Sequence, residues 1–180
     1  MALSDSEIWR EIQDGNIIVK PPTSIDKLDP HSLNVHLSEY IYTFKTEHPA
    51  IKRAIDLSHP EVAYSLQDLL DKTSIPEQGF ELGPTEFVIS YTREVITLPN
   101  NIAARIEGRS TNARFGLTIH STAPTIHPTY NGIITLEICN LGKIPILLKS
   151  GLAIGQLVFE YIDGTIMKEL QSAWQNQQPL

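Results

Sequence analysis

The sequence predicts a mainly β domain, built as a β-sandwich, jelly roll or closed barrel. Short runs of alternating or continuously apolar residues recur along the chain, with turn residues between them. At 180 residues the chain has the length of one domain. Its composition, 41% hydrophobic and 19% charged, is typical of a globular protein that buries a core.

A helix is predicted at the start of the chain. Ser4 or Asp5 can cap it, because a short oxygen side chain accepts hydrogen bonds from free backbone N–H groups. Ile8 and Ile12 then lie one turn apart on one face, and Gly15 would end the helix.

Strands account for most of the remaining chain. A short strand is predicted at 17–19, and apolar residues alternate with polar ones across 33–37 and on to 44, as in a half-buried strand. The later predicted strands are 87–91, 95–98, 103–106, 117–119, 132–139, 144–148 and 157–161.

Two segments depart from this pattern. Residues 47–80 are polar and proline-containing, which predicts an excursion from the sheet with a short helix at 62–70. Residues 168–180 are polar and glutamine-rich, as in a flexible tail. The predicted organisation is one domain over 1–167 and a C-terminal tail.

Charge and cysteine content exclude several classes of protein. The formal charge of −7 disfavours binding to nucleic acid polymers or anionic membranes, which require a broad basic surface. A single cysteine, Cys139, allows neither an internal disulfide nor a cysteine-based zinc site, and it fits a reducing cytoplasm. We expect no export signal and no membrane span, since the chain lacks an apolar run of roughly 18 residues.

Two segments contain residues suited to chemistry. Residues 107–116 combine Arg109 and Arg114 with hydroxyl and glycine residues, a set that can bind phosphate; the commoner alternative is surface charge or an ion pair with Glu107. In 134–138, Glu137 lies on the face opposite Leu136. Glu137 is either a solvated strand residue or, if buried, a candidate general base whose pKa desolvation would raise.

The histidines do not form a zinc site with the usual spacing. His31, His36, His120 and His127 make no pair one helical turn apart, and no His-x-Glu segment precedes a Cys-x-x-Cys. A zinc-dependent deaminase of the familiar kind is therefore excluded.

Taken together, these segments resemble the dCTP deaminase branch of the dCTP deaminase and dUTPase superfamily. The resemblance extends over nearly the whole chain and is strongest between residues 82 and 160. It is carried by residues 3–8, 28–35, 108–111, 113–117, 120–123, 126–132, 134–137 and 155–157.

The resemblance implies a distorted β-barrel or jelly roll of the dUTPase-like type, assembled as a homotrimer with nucleotide sites between subunits. It implies a hydrolase that converts dCTP to dUTP and ammonia without zinc, in the supply of dUTP and dTTP. Mg²⁺ would be bound through the substrate triphosphate and not by protein side chains. The tail would close over the nucleotide, and dTTP is a candidate feedback ligand.

The resemblance also implies roles for individual residues. Glu137 would take a proton from the attacking water, with Ser110 and Arg114 holding that water and the base. Arg109, Ser110 and Thr111 would contact the triphosphate. The other implied substrate contacts are Asn112, Ala113, Ala123, His127, Tyr130, Thr135, Leu136 and, in the tail, Gln177.

Two residues of this chain differ from the family pattern. His127 replaces the usual Asp that meets the deoxyribose, and Pro124 replaces the His or Gly that commonly separates deaminases from bifunctional enzymes. The alternatives are therefore a bifunctional deaminase that continues to dUMP and diphosphate, a plain dUTP diphosphatase, or a weakly active trimer that binds deoxynucleotides as a regulator. Loss of the carboxylate at His127 argues against hydrolysis, because that carboxylate would position the water.

Overall fold

The computed structural model describes residues 1–47, 56, 58 and 66–167. The predicted first helix is confirmed as α1, Asp5–Gln13. Of the two predicted caps, Ser4 is the one that the structure uses: the Ser4 side chain accepts from the Glu7 backbone N–H, and the Glu7 carboxylate accepts from the Ser4 N–H at 3.0 Å. This reciprocal capping box satisfies two backbone donors that a helix start otherwise leaves free.

Strands make up most of the described chain. In order they are β1 Ile18–Lys20, β2 Leu28–Asp29, β3 Ser32–His36, β4 Tyr40–Phe44, β5 Leu70–Ser74, β6 Phe80–Leu82, β7 Phe87–Thr97, β8 Ile102–Gly108, β9 Leu117–Thr118, β10 Thr125–Ile126, β11 Asn131–Asn140, β12 Ile146–Leu148 and β13 Ala153–Tyr161. A second short helix, α2 Ser110–Ala113, follows β8, and single 3₁₀ turns lie at Ile25–Lys27 and Gln67–Leu69.

The strands pair antiparallel in two large sheets. In the described residues, one sheet has the order β5-β4-β7-β11-β9, with β1 also pairing with β7. The other has the order β10-β8-β13-β3-β2, and β12 and β6 form a separate pair. Apolar side chains from both large sheets pack into one main core, among them Val35, Leu136 and Leu157. The predicted mainly β, jelly-roll-like class is confirmed.

A second, smaller apolar cluster lies on the other side of the first sheet. Two of its tyrosine rings, Tyr42 and Tyr91, meet edge to face with centroids 5.5 Å apart. We call this set the outer cluster; its buried members are Tyr42, Leu70, Ile89, Tyr91 and Ile133. The first sheet therefore packs apolar side chains on both of its faces.

The prediction that residues 47–80 leave the sheet is wrong for β5. This strand pairs with β4 along its whole length, from Tyr40 opposite Ser74 to Phe44 opposite Leu70. Its polar composition reflects its place at a sheet edge, where only Leu70 is buried. Of the helix predicted at 62–70, only the 3₁₀ turn Gln67–Leu69 lies within the described residues, and the tail 168–180 lies outside them.

No helix within the described ranges is long and apolar enough to cross a membrane.

A buried carboxylate joins the first helix to the last strand. Glu11, only 8% exposed, accepts hydrogen bonds from the Tyr161 hydroxyl at 2.7 Å and from the Asn16 side-chain amide at 2.8 Å. The hydrogen bond from Tyr161, supported by that from Asn16, holds the pKa of Glu11 below its ordinary value. The ionised carboxylate thus links α1 to β13 through the Tyr161 hydroxyl.

Removing the Tyr161 hydroxyl tests this contact. Tyr161→Phe should lower the free energy of unfolding by about 1–2 kcal/mol at pH 7, since a hydrogen bond to a buried charge is lost. The lowered pKa of Glu11 stabilises the folded state above the ordinary carboxyl pKa of about 4.3, and this stabilisation is lost as the pH falls through the folded-state value.

The loss in free energy of unfolding caused by Tyr161→Phe should therefore be largest near neutral pH and shrink below about pH 4. Urea unfolding at several pH values measures it. Tyr40→Phe is the matched control, because it keeps the ring that contacts Lys72 and leaves Glu11 untouched. If Tyr161→Phe lowers the free energy of unfolding just as much in acid, the stabilisation does not come from ionised Glu11.

Candidate active site

Glu137 lies in the middle of β11 with its side chain on the outer face of the first sheet. Its neighbours Leu136 and Ile138 point into the main core, as strand alternation predicts. Glu137 is half-buried and lies directly opposite Ile89, a member of the outer cluster that is only 4% exposed. The carboxylate is therefore placed beside apolar side chains, and not on a fully solvated strand face.

One oxygen of this carboxylate is held by the backbone. The Ser121 N–H donates to Glu137 Oε2 at 2.8 Å, and the Glu137 N–H in turn donates to the Ile119 carbonyl at 3.0 Å. Within the described part of the chain, Glu137 Oε1 has no hydrogen-bond partner. The arrangement orients the carboxylate and leaves one oxygen available to accept a proton.

The two arginines of the predicted phosphate site flank α2. Arg109 is the N-cap residue and Arg114 the C-cap residue, so the two guanidinium groups leave opposite ends of one helical turn. Ser110, Thr111, Ala113 and Arg114 are exposed, whereas Arg109 is half-buried.

The charges of these arginines are available to a ligand. Among residues 1–47 and 66–167, no ion pair involves Arg109 or Arg114. Glu107 instead lies 4.0 Å from the Nε2 atom of His120, and the described residues show no ion pair between Glu107 and either arginine. Both guanidinium groups can bind an anion.

The arginine segment is fixed to the rest of the fold at both ends. The Asn112 side-chain amide donates to the Ala153 carbonyl of β13 at 3.2 Å, so this predicted substrate contact has a structural partner. Gly116 has φ +93°, and a Cβ there would lie 2.2 Å from the backbone nitrogen of Gly142. Only glycine fits such a close approach of two backbones.

Asn140, at the end of β11, fixes the loop that Gly116 meets. Its amide donates to the carbonyls of Leu82 and Ile144 at 3.0 and 2.9 Å, and its side-chain oxygen accepts from the Gly142 N–H at 2.9 Å. Asn140 is fully buried with these hydrogen bonds. Sequence analysis missed it, and its only signal was an amide at the end of a strongly apolar strand.

The residues predicted to meet the base and the sugar have different exposures. Ala123 and His127 are exposed, and Thr135 is half-buried. The Tyr130 hydroxyl donates to the carbonyl of Ile133, and burial raises the pKa of Tyr130 to about 12. The Tyr130 hydroxyl is thus protonated and engaged within the chain.

Two further predicted contacts are restricted by their positions. The Leu136 side chain is fully buried in the main core, so only its backbone can meet a substrate. Gln177 lies outside the described residues.

The predicted base and the predicted arginine site are not joined within one chain. No hydrogen bond or ion pair connects Glu137 with Ser110 or Arg114 in the part of the chain that the structure describes. The cleft of about 410 Å³ on the outer face is lined by Tyr40, Tyr91 and Arg93, among others, and by none of the three residues just named.

Comparison with known proteins finds relatives that this chain matches over most of their length. The family model described as dCTP deaminase-like matches residues 2–162. A dCTP deaminase from Shewanella sp. is 37% identical over 174 residues, covering 93% of this chain and 88% of that protein. A dUMP-forming dCTP deaminase from Streptomyces griseus subsp. griseus is 40% identical over 162 residues, covering 87% of this chain and 78% of that protein.

A solved structure shares the fold. The crystal structure of 2′-deoxycytidine 5′-triphosphate deaminase from Agrobacterium tumefaciens aligns with a TM-score of 0.67 and 22% identity, covering 88% of this chain. The alignment covers 47% of that protein, so this chain spans about half its length. Because the family model and both relatives match along nearly the whole described fold, the chain belongs to the dCTP deaminase-like family.

Proposed function

We propose that this protein deaminates dCTP to dUTP and ammonia, with Glu137 as the general base. The observation that carries the proposal is the half-buried Glu137 carboxylate, of which one oxygen is held by the Ser121 N–H and the other is available to water. The names of the relatives from Shewanella and Streptomyces support dCTP as the substrate.

In this reaction Glu137 accepts a proton from water while the water oxygen forms a bond to C4 of cytosine. The electron pair of the C4=N3 bond moves onto N3, which takes up that first proton from Glu137. The remaining proton of the former water oxygen then passes through Glu137 to the amino nitrogen, the C4–N4 bond breaks, and the nitrogen leaves as ammonia. The carbonyl of uracil remains at C4. Glu137 thus acts first as a base and then as an acid, and it ends in its starting state.

The triphosphate would bind at α2. Arg109 and Arg114 supply positive charge, and the hydroxyls of Ser110 and Thr111 are exposed beside them. Guanidinium groups bind phosphate through two parallel hydrogen bonds, which suits a polyphosphate. Mg²⁺ would be bound through oxygens of the triphosphate, as is usual for this hard cation.

We also propose that the protein works as a homotrimer whose sites combine two chains. Glu137 shares the outer face with the outer cluster, whose flanking residues Phe44 and Phe87 are 37% and 40% exposed with ring centroids 6.2 Å apart. A second copy packed on this face would cover these rings. It would also bring its own Arg114 and Ser110 to Glu137.

The proposed product is dUTP, released in the cytoplasm for dTTP synthesis, with dTTP as a candidate feedback ligand. The relatives include enzymes named dUMP-forming as well as plain dCTP deaminases. In this chain the exposed His127 stands where hydrolysis would use a carboxylate. This residue favours a reaction that stops at dUTP.

Glu137→Gln should abolish deamination while leaving nucleotide binding nearly unchanged. The amide keeps the size of the side chain and can accept from the Ser121 N–H, but it cannot take the proton from water, and loss of a general base costs on the order of 10²- to 10⁴-fold in rate. Ammonia release measures kcat, and calorimetry with dCTP measures binding.

Glu81→Gln, on the exposed side of β6, is the matched control and should keep the parent rate. If Glu137→Gln deaminates within a few fold of the parent, Glu137 is only a strand residue.

Mixed trimers test whether sites are shared. Glu137→Gln and Arg114→Ala should each be nearly inactive alone, because every site would lack one of the two residues. Random mixing after unfolding and refolding together should restore up to about one quarter of the parent activity, since that share of sites receives both intact residues. Activity no higher than that of the two separate variants would place both residues in the same chain's site.

His127 variants test the product. The parent should convert dCTP to dUTP and release no diphosphate, and His127→Ala should chiefly raise KM through a lost hydrogen bond of roughly 0.5–1.5 kcal/mol. His127→Asp should tighten deoxyribose binding or introduce diphosphate release by restoring a carboxylate. Chromatography of dUTP, dUMP and diphosphate measures both.

Two results of that assay would contradict the proposal. Stoichiometric diphosphate from the parent would support the bifunctional enzyme. Nucleotide binding without any conversion of dCTP would support the regulatory trimer.

A further inference from the structure

The pairing of β7 with β11 is irregular just before the candidate base. Ile133 lies opposite Val95, yet Thr135 lies opposite Tyr91. Three residues of β7 therefore face the single residue Ile134 of β11. Such a bulge disrupts the regular ladder and changes the direction of the side chains beside it.

The peptide group between Ile133 and Ile134, at this bulge, is held by two side chains. Its N–H, on Ile134, donates to the Thr92 hydroxyl oxygen at 3.0 Å. Its carbonyl, on Ile133, accepts from the Tyr130 hydroxyl. Both polar atoms of one peptide are thus fixed by different segments of the chain, and this peptide precedes Glu137 by three residues, about 10 Å along the strand.

Thr92 is itself held in place. It is 1% exposed, and its hydroxyl donates to the Glu94 carbonyl at 2.8 Å. The Glu94 carboxylate, in turn, lies 2.6 Å from the His36 ring nitrogen Nδ1 and accepts from the His36 backbone N–H at 2.9 Å. This network ties the bulge to β3 in the opposite sheet, so the Thr92 hydroxyl has little freedom to move.

We propose that Thr92 is a positioning residue for deamination, holding the peptide between Ile133 and Ile134 so that Glu137 is correctly aimed at the substrate. Tyr130 acts on the other atom of the same peptide. The inference rests on the proposed role of Glu137 as the base. Thr92 does not touch the substrate; it acts through the strand that carries Glu137.

The test compares Thr92→Val with Thr92→Ser. Valine keeps the shape but leaves the Ile134 N–H without its partner, so kcat should fall about 10- to 100-fold, as small misplacements of catalytic groups do. KM for dCTP should stay within about two-fold, because the groups that bind the triphosphate are unchanged. Serine keeps the hydroxyl and should restore most of kcat.

Thr97→Val is the matched control. Thr97 lies on the same strand and donates to the Asn131 side chain of β11 at 2.8 Å, but it lies past the bulge, at the end of the strand pair away from Glu137. This variant should keep the parent kcat. Thermal unfolding of all variants compares their stabilities. If Thr92→Val fails to fold, Tyr130→Phe is the second variant: it frees the Ile133 carbonyl of the same peptide and should also lower kcat.

A double variant separates positioning from a general loss of structure. In the Glu137→Gln background, Thr92→Val should change the residual rate by less than about two-fold, because it acts only through the missing carboxylate. If Thr92→Val lowers the deamination rate by the same factor in both backgrounds, or leaves kcat like that of the parent when made alone, the inference is overturned. A fully active Glu137→Gln would instead overturn the proposed role of Glu137 as the general base.

Discussion

The antiparallel pairing of β7 with β11 is the constraint on which the rest of the structure depends. These are the two longest strands of the first sheet, and their side chains supply both the main core and the outer cluster. A strand buried on one face by Leu136 and Ile138 cannot slip by one residue without moving its apolar set out of the core. The same restriction keeps Glu137 on the outer face.

Backbone groups, more than side chains, organise the surroundings of Glu137. The Ser121 N–H orients the carboxylate, and the close approach of Gly116 to Gly142 fixes the arginine segment next to the end of β11. Hydrogen bonds from rigid backbone do not need to be ordered when a substrate binds, so the groups are already in place. The buried amide of Asn140 completes this frame.

Charge is distributed unevenly in a way that suits a small anionic substrate. The chain carries a net charge of −7, yet Arg109 and Arg114 flank one exposed helical turn. A locally positive site on an acidic protein can attract a triphosphate while the molecule as a whole repels nucleic acid polymers. Within the described residues no hydrogen bond or ion pair joins either arginine to Glu137, which agrees with the proposal of a site shared between copies.

The sequence by itself determined the features that depend on local pattern: the helix capped by Ser4, the outward side of Glu137 and the clustering of Arg109 with Arg114. Only the tertiary structure decided which distant groups meet. The edge position of β5, the Ser121 hydrogen bond and the contact of Thr92 with the peptide between Ile133 and Ile134 join segments far apart in the chain. A backbone N–H has no residue signature, and a hydroxyl can bond to many partners, so their pairing follows from how the sheets fold together and not from the local sequence.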